Sequence, residues 1–276
     1  MQILANMYRP ITAAPFLHSS SYCEITPCKP LLPFIRCFWG TSGSGILSEK
    51  GASPDLVIPD TCMDIIFHIN GEQKRCEGFL CAIDEGSYRG RGYEEKGEVF
   101  AVRFYAWSAV LFAERDFSGT KNRAFAVEEF FSRLKSELEP QLIETAALSE
   151  RVAAAEKALL KTLCPDRINA DLANAVYYML KTNGKAKVSE ICAYTAVSER
   201  QLERVFNYSM GVSAKAFSLL LRYQLLWQDI ALSPQFSILD AVEKFGYTDQ
   251  SHLLKDFRKR HMMTPKEAVE YAQKLR

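Results

Sequence analysis

The hydrophobic and polar positions change period once along the chain. In the first third, short β-branched and apolar runs lie between turn residues. Leu56-Val57-Ile58, Met63 to Ile69, Gly78 to Ile83 and Glu98 to Phe104 have strand length. Asn70-Gly71 ends the second run with a turn signal, and glycines 86, 90, 92 and 97 punctuate the stretch before the last. Short strands at this spacing predict a small β-barrel or sandwich. From about Ser108 the apolar residues recur at three- and four-residue intervals. Val127 to Leu138 and Leu142 to Leu163 are expected helices, with Pro140 between them and Cys164-Pro165-Asp166 after the second.

Beyond Asn169 the pattern is helical throughout. Asp171 is the expected cap of a helix running to Lys181, ended by Asn183-Gly184. Val188 to Thr195 is a short helix. Ser198 caps the next, which ends near Gly211, and Ser213 caps a long amphipathic helix stopped by Ser233-Pro234. Ile238 to Phe245, a helix capped by Asp249, and one opened by Thr264-Pro265 complete the chain. The expected fold is α+β with two domains: a barrel at 1–110, a helical linker or dimerisation segment at 111–168, and an all-α domain at 169–276.

These last helices repeat. With Ser198 set against Asp249, Leu202 falls on Leu253, Arg204 on Lys255, Phe206 on Phe257, Ser213 on Thr264 and Lys215 on Lys266, all at an offset of 51. Each copy has a short helix, a tight turn and a capped second helix, which is a helix-turn-helix. Leu202 and Phe206, like Leu253 and Phe257, are four apart and share a core-facing side. The opposite faces carry Arg200, Glu203 and Arg204, and Gln250, Ser251 and Lys255. Arg and Lys suit guanine, Gln suits adenine and Glu suits the cytosine amino group. Joined by a stiff helix, the two reading helices are expected to enter successive major grooves about one turn apart.

Val197 to Phe206, Gly211-Val212-Ser213, Gly246 to Leu253, Phe257-Arg258 and Thr264-Pro265 resemble the AraC-type (AraC/XylS) DNA-binding domain over about 188–268. The resemblance implies seven helices, with recognition helices starting at Ser198 and Asp249. The DNA-contacting set is Ser198, Arg200, Glu203, Arg204, Lys215, Gln250, Ser251, Leu254, Lys255 and Arg258. It further implies double-stranded DNA and RNA polymerase as partners. The sequence departs from the family at Cys192 and Val242, where Ala is usual, at Ala196 in place of a turn Gly, and at His261-Met262 in place of Phe-Gly. A non-Gly residue at such a helix end strains the turn or changes it. Cys28-x-Pro30-x-Leu32, Ile35-x3-Trp39, Ile58-Pro59-Asp60-x3-Asp64-Ile65-Ile66-Phe67 and Val102-Arg103-Phe104 resemble an uncharacterised sensor-like domain often fused to such tails. That resemblance implies a cupin-like barrel that binds an effector or dimerises, and names no ligand.

Composition adds limits. The 276 residues carry a net charge of +1, but from Ala170 onward 15 Lys and Arg face 11 Asp and Glu, whereas 19 face 22 before it. A basic tail suits a polyanion. No apolar run has membrane-span length, and Met1 to Ser21 lacks a signal-peptide pattern, so a cytoplasmic, nucleoid-associated protein is expected. Front-domain aromatics such as Phe34, Phe38, Tyr88, Tyr93 and Tyr105 are pocket or core candidates. Trp39, Asp64, Phe104 and Trp107 form the candidate effector set. Six of eight cysteines precede residue 82. With His68 they open an alternative reading, a metal- or redox-sensing regulator, though no pair has zinc-knuckle spacing. Asp60 reads as a turn residue. No nucleophile–base pair or phosphate loop accompanies it, so neither an enzyme nor a cofactor is expected. The remaining rival is a helical protein-interaction module that does not bind DNA.

Overall fold

The computed structural model describes residues 1–17, 22–40, 56–89 and 97–275; Tyr93, Gly90 and Gly92 lie outside them. The front domain is built on strand β4 (Cys62–Asn70). Met63, Ile65, Phe67 and Ile69 alternate into the core, as the strand expected over Met63 to Ile69 requires. The Asn70-Gly71 turn returns the chain into β5 (Arg75–Cys81), and β7 (Glu98–Tyr105) pairs on the other side of β4, with Phe67 opposite Phe100. Strands β1 (Cys23–Ile25), β2 (Ile35–Gly40) and β8 (Ala124–Ala126) complete a six-stranded antiparallel sheet of order β1-β2-β7-β4-β5-β8. β3 (Leu56–Val57) and β6 (Tyr88–Arg89) form a separate two-stranded ladder. Among the described residues no ladder joins β1 to β8.

One face of the sheet carries Phe38, Ile65, Phe67, Phe100, Val102 and Phe104. It packs under helices α3 (Glu128–Glu144) and α4 (Leu148–Thr162), where Phe131 stacks on Phe104 at 5.9 Å. Gly78 permits this approach, because a Cβ there would overlap a methyl group of Val127. The expected break at Pro140 is absent. Helix α3 runs through it and stops at Thr145. Pro140 and Ser136, whose carbonyl loses its partner, both face solvent, while Leu138 and Leu142 are fully buried. Water can serve the freed carbonyl, and core packing on both sides offsets the lost hydrogen bond.

The front domain also contains α1 (Gln2–Met7) and the single turn α2 (Ala106–Ala109). The tail follows a 3-10 turn at Pro165–Arg167. It comprises α5 (Ala170–Lys181), α6 (Val188–Thr195), α7 (Glu199–Met210), α8 (Ala214–Leu232), α9 (Ile238–Phe245), α10 (Gln250–His261) and α11 (Pro265–Lys274). The cap of α5 is Asn169, which accepts from Leu172 N–H. Asp171 lies inside the first turn and takes a hydrogen bond from Gln201 Nε2 at 3.1 Å. The architecture is the expected two-domain α+β one.

The domains are tightly joined. Trp107 of α2 lies edge-on to Phe217 of α8 at 6.3 Å. Phe117 N–H donates to the Tyr208 carbonyl at 2.9 Å. Arg167 donates to the Tyr208 hydroxyl at 3.2 Å, and Ser87 donates to the Arg260 carbonyl at the end of α10.

Candidate nucleic-acid interface

Each helix-turn-helix starts with a short helix that ends in the left-handed region: Ala196 at φ +55° after α6, Gly246 at φ +67° after α9. The reading helices are then capped in the same way. Ser198 accepts from Gln201 N–H at 3.2 Å, and Asp249 accepts from His252 N–H at 2.8 Å, satisfying a helix-end donor in each case. Both end left-handed again, at Gly211 (φ +71°) and Met262 (φ +59°). Ser213 and Thr264 cap the helices that follow. The family turn is thus kept at Ala196 and Met262, with the backbone strained rather than rearranged.

The inner faces are closed: Leu202, Phe206, Leu253 and Phe257 are fully buried. On the outer face of α7, Ser198, Arg200 and Arg204 are exposed. Glu203 is half-buried, with its carboxylate beside the Ala214 backbone N–H at the start of α8. Burial and the neighbouring Glu199 raise its pKa. Lys215 is exposed one residue further on. Along α10, Gln250, Ser251, Leu254, Lys255 and Arg258 are all exposed, so the basic and amide side chains of both helices are free to meet a polyanion.

Beneath α10 lies a network the sequence did not reveal. Asp256 accepts from the Tyr247 hydroxyl at 2.9 Å and pairs with Arg260 and, at 3.6 Å, with Arg222 of α8. Arg222 also lies over the Tyr247 ring at 4.3 Å. The only hint in the sequence was the Asp256–Arg260 spacing of four.

In the front domain, the second sheet face brings Trp39 and Asp64 together: Trp39 Nε1 donates to Asp64 Oδ1 at 2.9 Å. Arg103 pairs with Asp64 at 3.3 Å and with Asp60 at 3.0 Å, and Tyr22 packs against Trp39 at 5.7 Å. Burial raises the Asp64 carboxyl above its usual range despite Arg103. Phe104 lies on the opposite, core face. Trp107 is fully buried at the domain junction, stacked on Tyr105 at 4.9 Å.

The cysteines are free. Burial pushes the thiols of Cys37, Cys76 and Cys81 up to about 12, and that of Cys62 well above its ordinary value. Thiols in that range hold little thiolate at neutral pH. Among the described residues no group of three or more His, Cys, Asp or Glu is placed to hold a metal ion, and no helix is long and apolar enough to cross a membrane.

Two capped helix-turn-helix units carried by one long helix define the tail as a DNA-binding domain of the two-unit class. Residues 191–270 match the family model of a helix-turn-helix domain, of AraC type. Residues 23–126 match a domain of unknown function (DUF6597). Among solved structures, ToxT from Vibrio cholerae O395 is similar at TM-score 0.40 and 12% identity, covering 92% of this chain and 99% of that chain. Unsaturated fatty acid bound wild-type ToxT from strain SCE256 is similar at TM-score 0.40 and 10% identity, covering 91% and 95%. ToxT from O395 bound to (E)-4-(8-methylnaphthalen-1-yl)but-3-enoic acid is similar at TM-score 0.40 and 14% identity, covering 91% and 99%. No curated protein sequence matches the chain.

Proposed function

We propose that this chain is a transcription regulator that reads an asymmetric operator through two adjacent major grooves, with the helices that start at Ser198 and Asp249. Arg200, Arg204, Gln250, Ser251, Leu254 and Lys255 contact base edges, and Ser198, Lys215 and Arg258 contact the backbone. The observation that carries this reading is the pairing itself: two helices with equivalent caps, equivalent buried faces and exposed basic or amide outer faces. Glu203 is retained as a base contact through its remaining acceptor capacity.

The front domain modulates this binding, through an effector or through dimerisation. For an effector, Trp39 and Asp64 with Arg103 are the better-supported half of the candidate set, because they share one polar face of the sheet. The sealed positions of Phe104 and Trp107 suit packing. RNA polymerase is the expected partner on a promoter.

The test is selection of duplexes from a random pool by the full chain, followed by affinity measurement across salt concentrations. Contacts to phosphates release counterions, so log affinity should fall linearly with log salt, with a slope near −0.9 per phosphate contact. Sequence-indifferent binding would contradict the reading of an operator, and no salt-dependent binding at all would leave only the protein-interaction reading.

A further inference from the structure

Gln224 is fully buried in the middle of α8, in a stretch otherwise dominated by large apolar residues. Both ends of its amide are used across the domain junction. Nε2 donates to the Pro59 carbonyl at 2.8 Å, and Oε1 accepts from Ile11 N–H at 3.2 Å. Further along the same stripe of α8, Trp227 donates to the Thr12 carbonyl at 2.9 Å and Gln228 to the Arg9 carbonyl at 2.8 Å. Positions 224, 227 and 228 stand at helical spacings of three and four, so one side of the helix is fastened to front-domain backbone.

The turn that Gln224 grips is itself fastened to the sheet. Asp60 Oδ1 accepts from Cys62 N–H at 2.6 Å, and Oδ2 holds Arg103 at 3.0 Å. Arg103 pairs with Asp64, which takes the Trp39 indole. The Thr61 hydroxyl meets the Tyr8 hydroxyl at 2.9 Å, and the Thr61 carbonyl accepts from Ala106 N–H at 3.0 Å. Polar contacts therefore run, with one backbone step at Pro59-Asp60, from Trp39 to the centre of the helix that joins both reading units.

We infer that the Pro59-Asp60-Thr61 turn and Gln224 form the joint through which the Trp39–Asp64–Arg103 cluster sets the seating of α8, and with it the mutual placement of the two recognition helices. Its functional half rests on the DNA-binding reading above. The docked arrangement leaves Arg200, Arg204, Gln250 and Lys255 exposed, so the joint holds the reading helices ready rather than covering them. Asp60 and Gln224 are positioning residues. A joint of this kind carries coupling through a contiguous network with discrete partners at each step.

Two readouts on the full chain test it. Without DNA, hydrogen exchange is followed in Asp60→Asn and in Arg103→Lys. Residues 9–13 and 221–228 should exchange about tenfold faster, with residues 150–160 of α4 unchanged. With a duplex selected by the unaltered chain, Asp60→Asn and Gln224→Met should each weaken binding about tenfold, within the range of ordinary coupling. The double variant should be no weaker than the worse single one, because one joint is broken twice. Unchanged exchange at 9–13 and 221–228, or losses that multiply to about a hundredfold, would overturn the joint. If Asp60→Asn does not fold, Arg103→Lys supplies the exchange result and pairs with Gln224→Met in the cycle. If no duplex is selected, the DNA-binding reading fails, and the exchange result still decides the joint.

Discussion

The Tyr223 hydroxyl and His261 Nδ1 lie 2.8 Å apart in the core beneath the second recognition helix, and both residues are fully buried. His261 sits between Trp227, at 4.5 Å, and Phe257, stacked at 4.8 Å. Its Nε2 is buried without a partner. Burial lowers its pKa to about 3.

That shift predicts acid sensitivity. The unfolded chain takes up the proton near pH 6.5, whereas the folded chain resists it until about pH 3. Stability from this residue is therefore present above pH 6.5 and is lost as pH falls towards 3. The loss between pH 6.5 and pH 5 is on the order of 1–2 kcal/mol. Urea unfolding of wild type and of the His261→Phe/Tyr223→Phe double variant at several pH values checks this. The double variant should lose less stability than wild type over that interval. His261→Phe alone should lose about 1–3 kcal/mol at neutral pH by orphaning the Tyr223 hydroxyl.

Ala196 and Met262 hold left-handed conformations that disfavour a side chain. Glycine at either position should raise unfolding free energy by about 0.5–1 kcal/mol, the strain relieved minus the extra freedom gained by the unfolded chain. Thermal melts of Ala196→Gly and Met262→Gly measure this. A lower Tm in both would mean the turns are not strained.

Gly211 and Gly246 share a backbone conformation but not a neighbourhood. A Cβ on Gly246 would meet the Lys185 side chain, which can move; one on Gly211 would overlap Thr120 Oγ1 and the Phe117 carbonyl of the front domain. Gly211→Ala should therefore cost at least about 1 kcal/mol more than Gly246→Ala. It should also speed hydrogen exchange in residues 115–121. Equal costs would show that the junction yields freely.

The Glu203 carboxylate lies beside the first backbone N–H of α8, which Ser213 caps. Glu203→Ala should lower stability by about 1 kcal/mol, and Glu203→Gln, which keeps an acceptor, by much less. Equal stability of the two, combined with relaxed choice at one base pair, would assign Glu203 to DNA alone.

The tail was legible because its signals are local. Ser198, Ser213 and Asp249 were readable as caps from their places before apolar repeats, and all three cap; the helix that Thr264-Pro265 opens is capped by Thr264. Asn169 displaced Asp171 because the helix starts two residues earlier, where Asn169 accepts from Leu172 N–H, and Asp171 takes Gln201 instead. Pro140 misled because its effect depends on which face of α3 it occupies, a tertiary fact. In the front domain, β4, β5 and β7 announced themselves as strand-length apolar runs between turn residues, whereas three-residue β1 and β8 are defined only by their partners. Trp39 and Asp64 stand 25 residues apart in sequence, and only the register of β2, β7 and β4 brings them into contact. Gln224 was visible as a polar residue in an apolar run, but its partners at 11 and 59 were not.

The most direct measurement is a base-by-base substitution scan of a selected duplex, bound by wild type, Arg204→Ala and Lys255→Ala. Two clusters of sensitive base pairs about 10–10.5 base pairs apart are expected. Arg204→Ala should relax one cluster and Lys255→Ala the other, each costing about 1–3 kcal/mol on its own cluster. A single sensitive cluster, or tight and selective binding that survives both substitutions together, would contradict the two-helix reading.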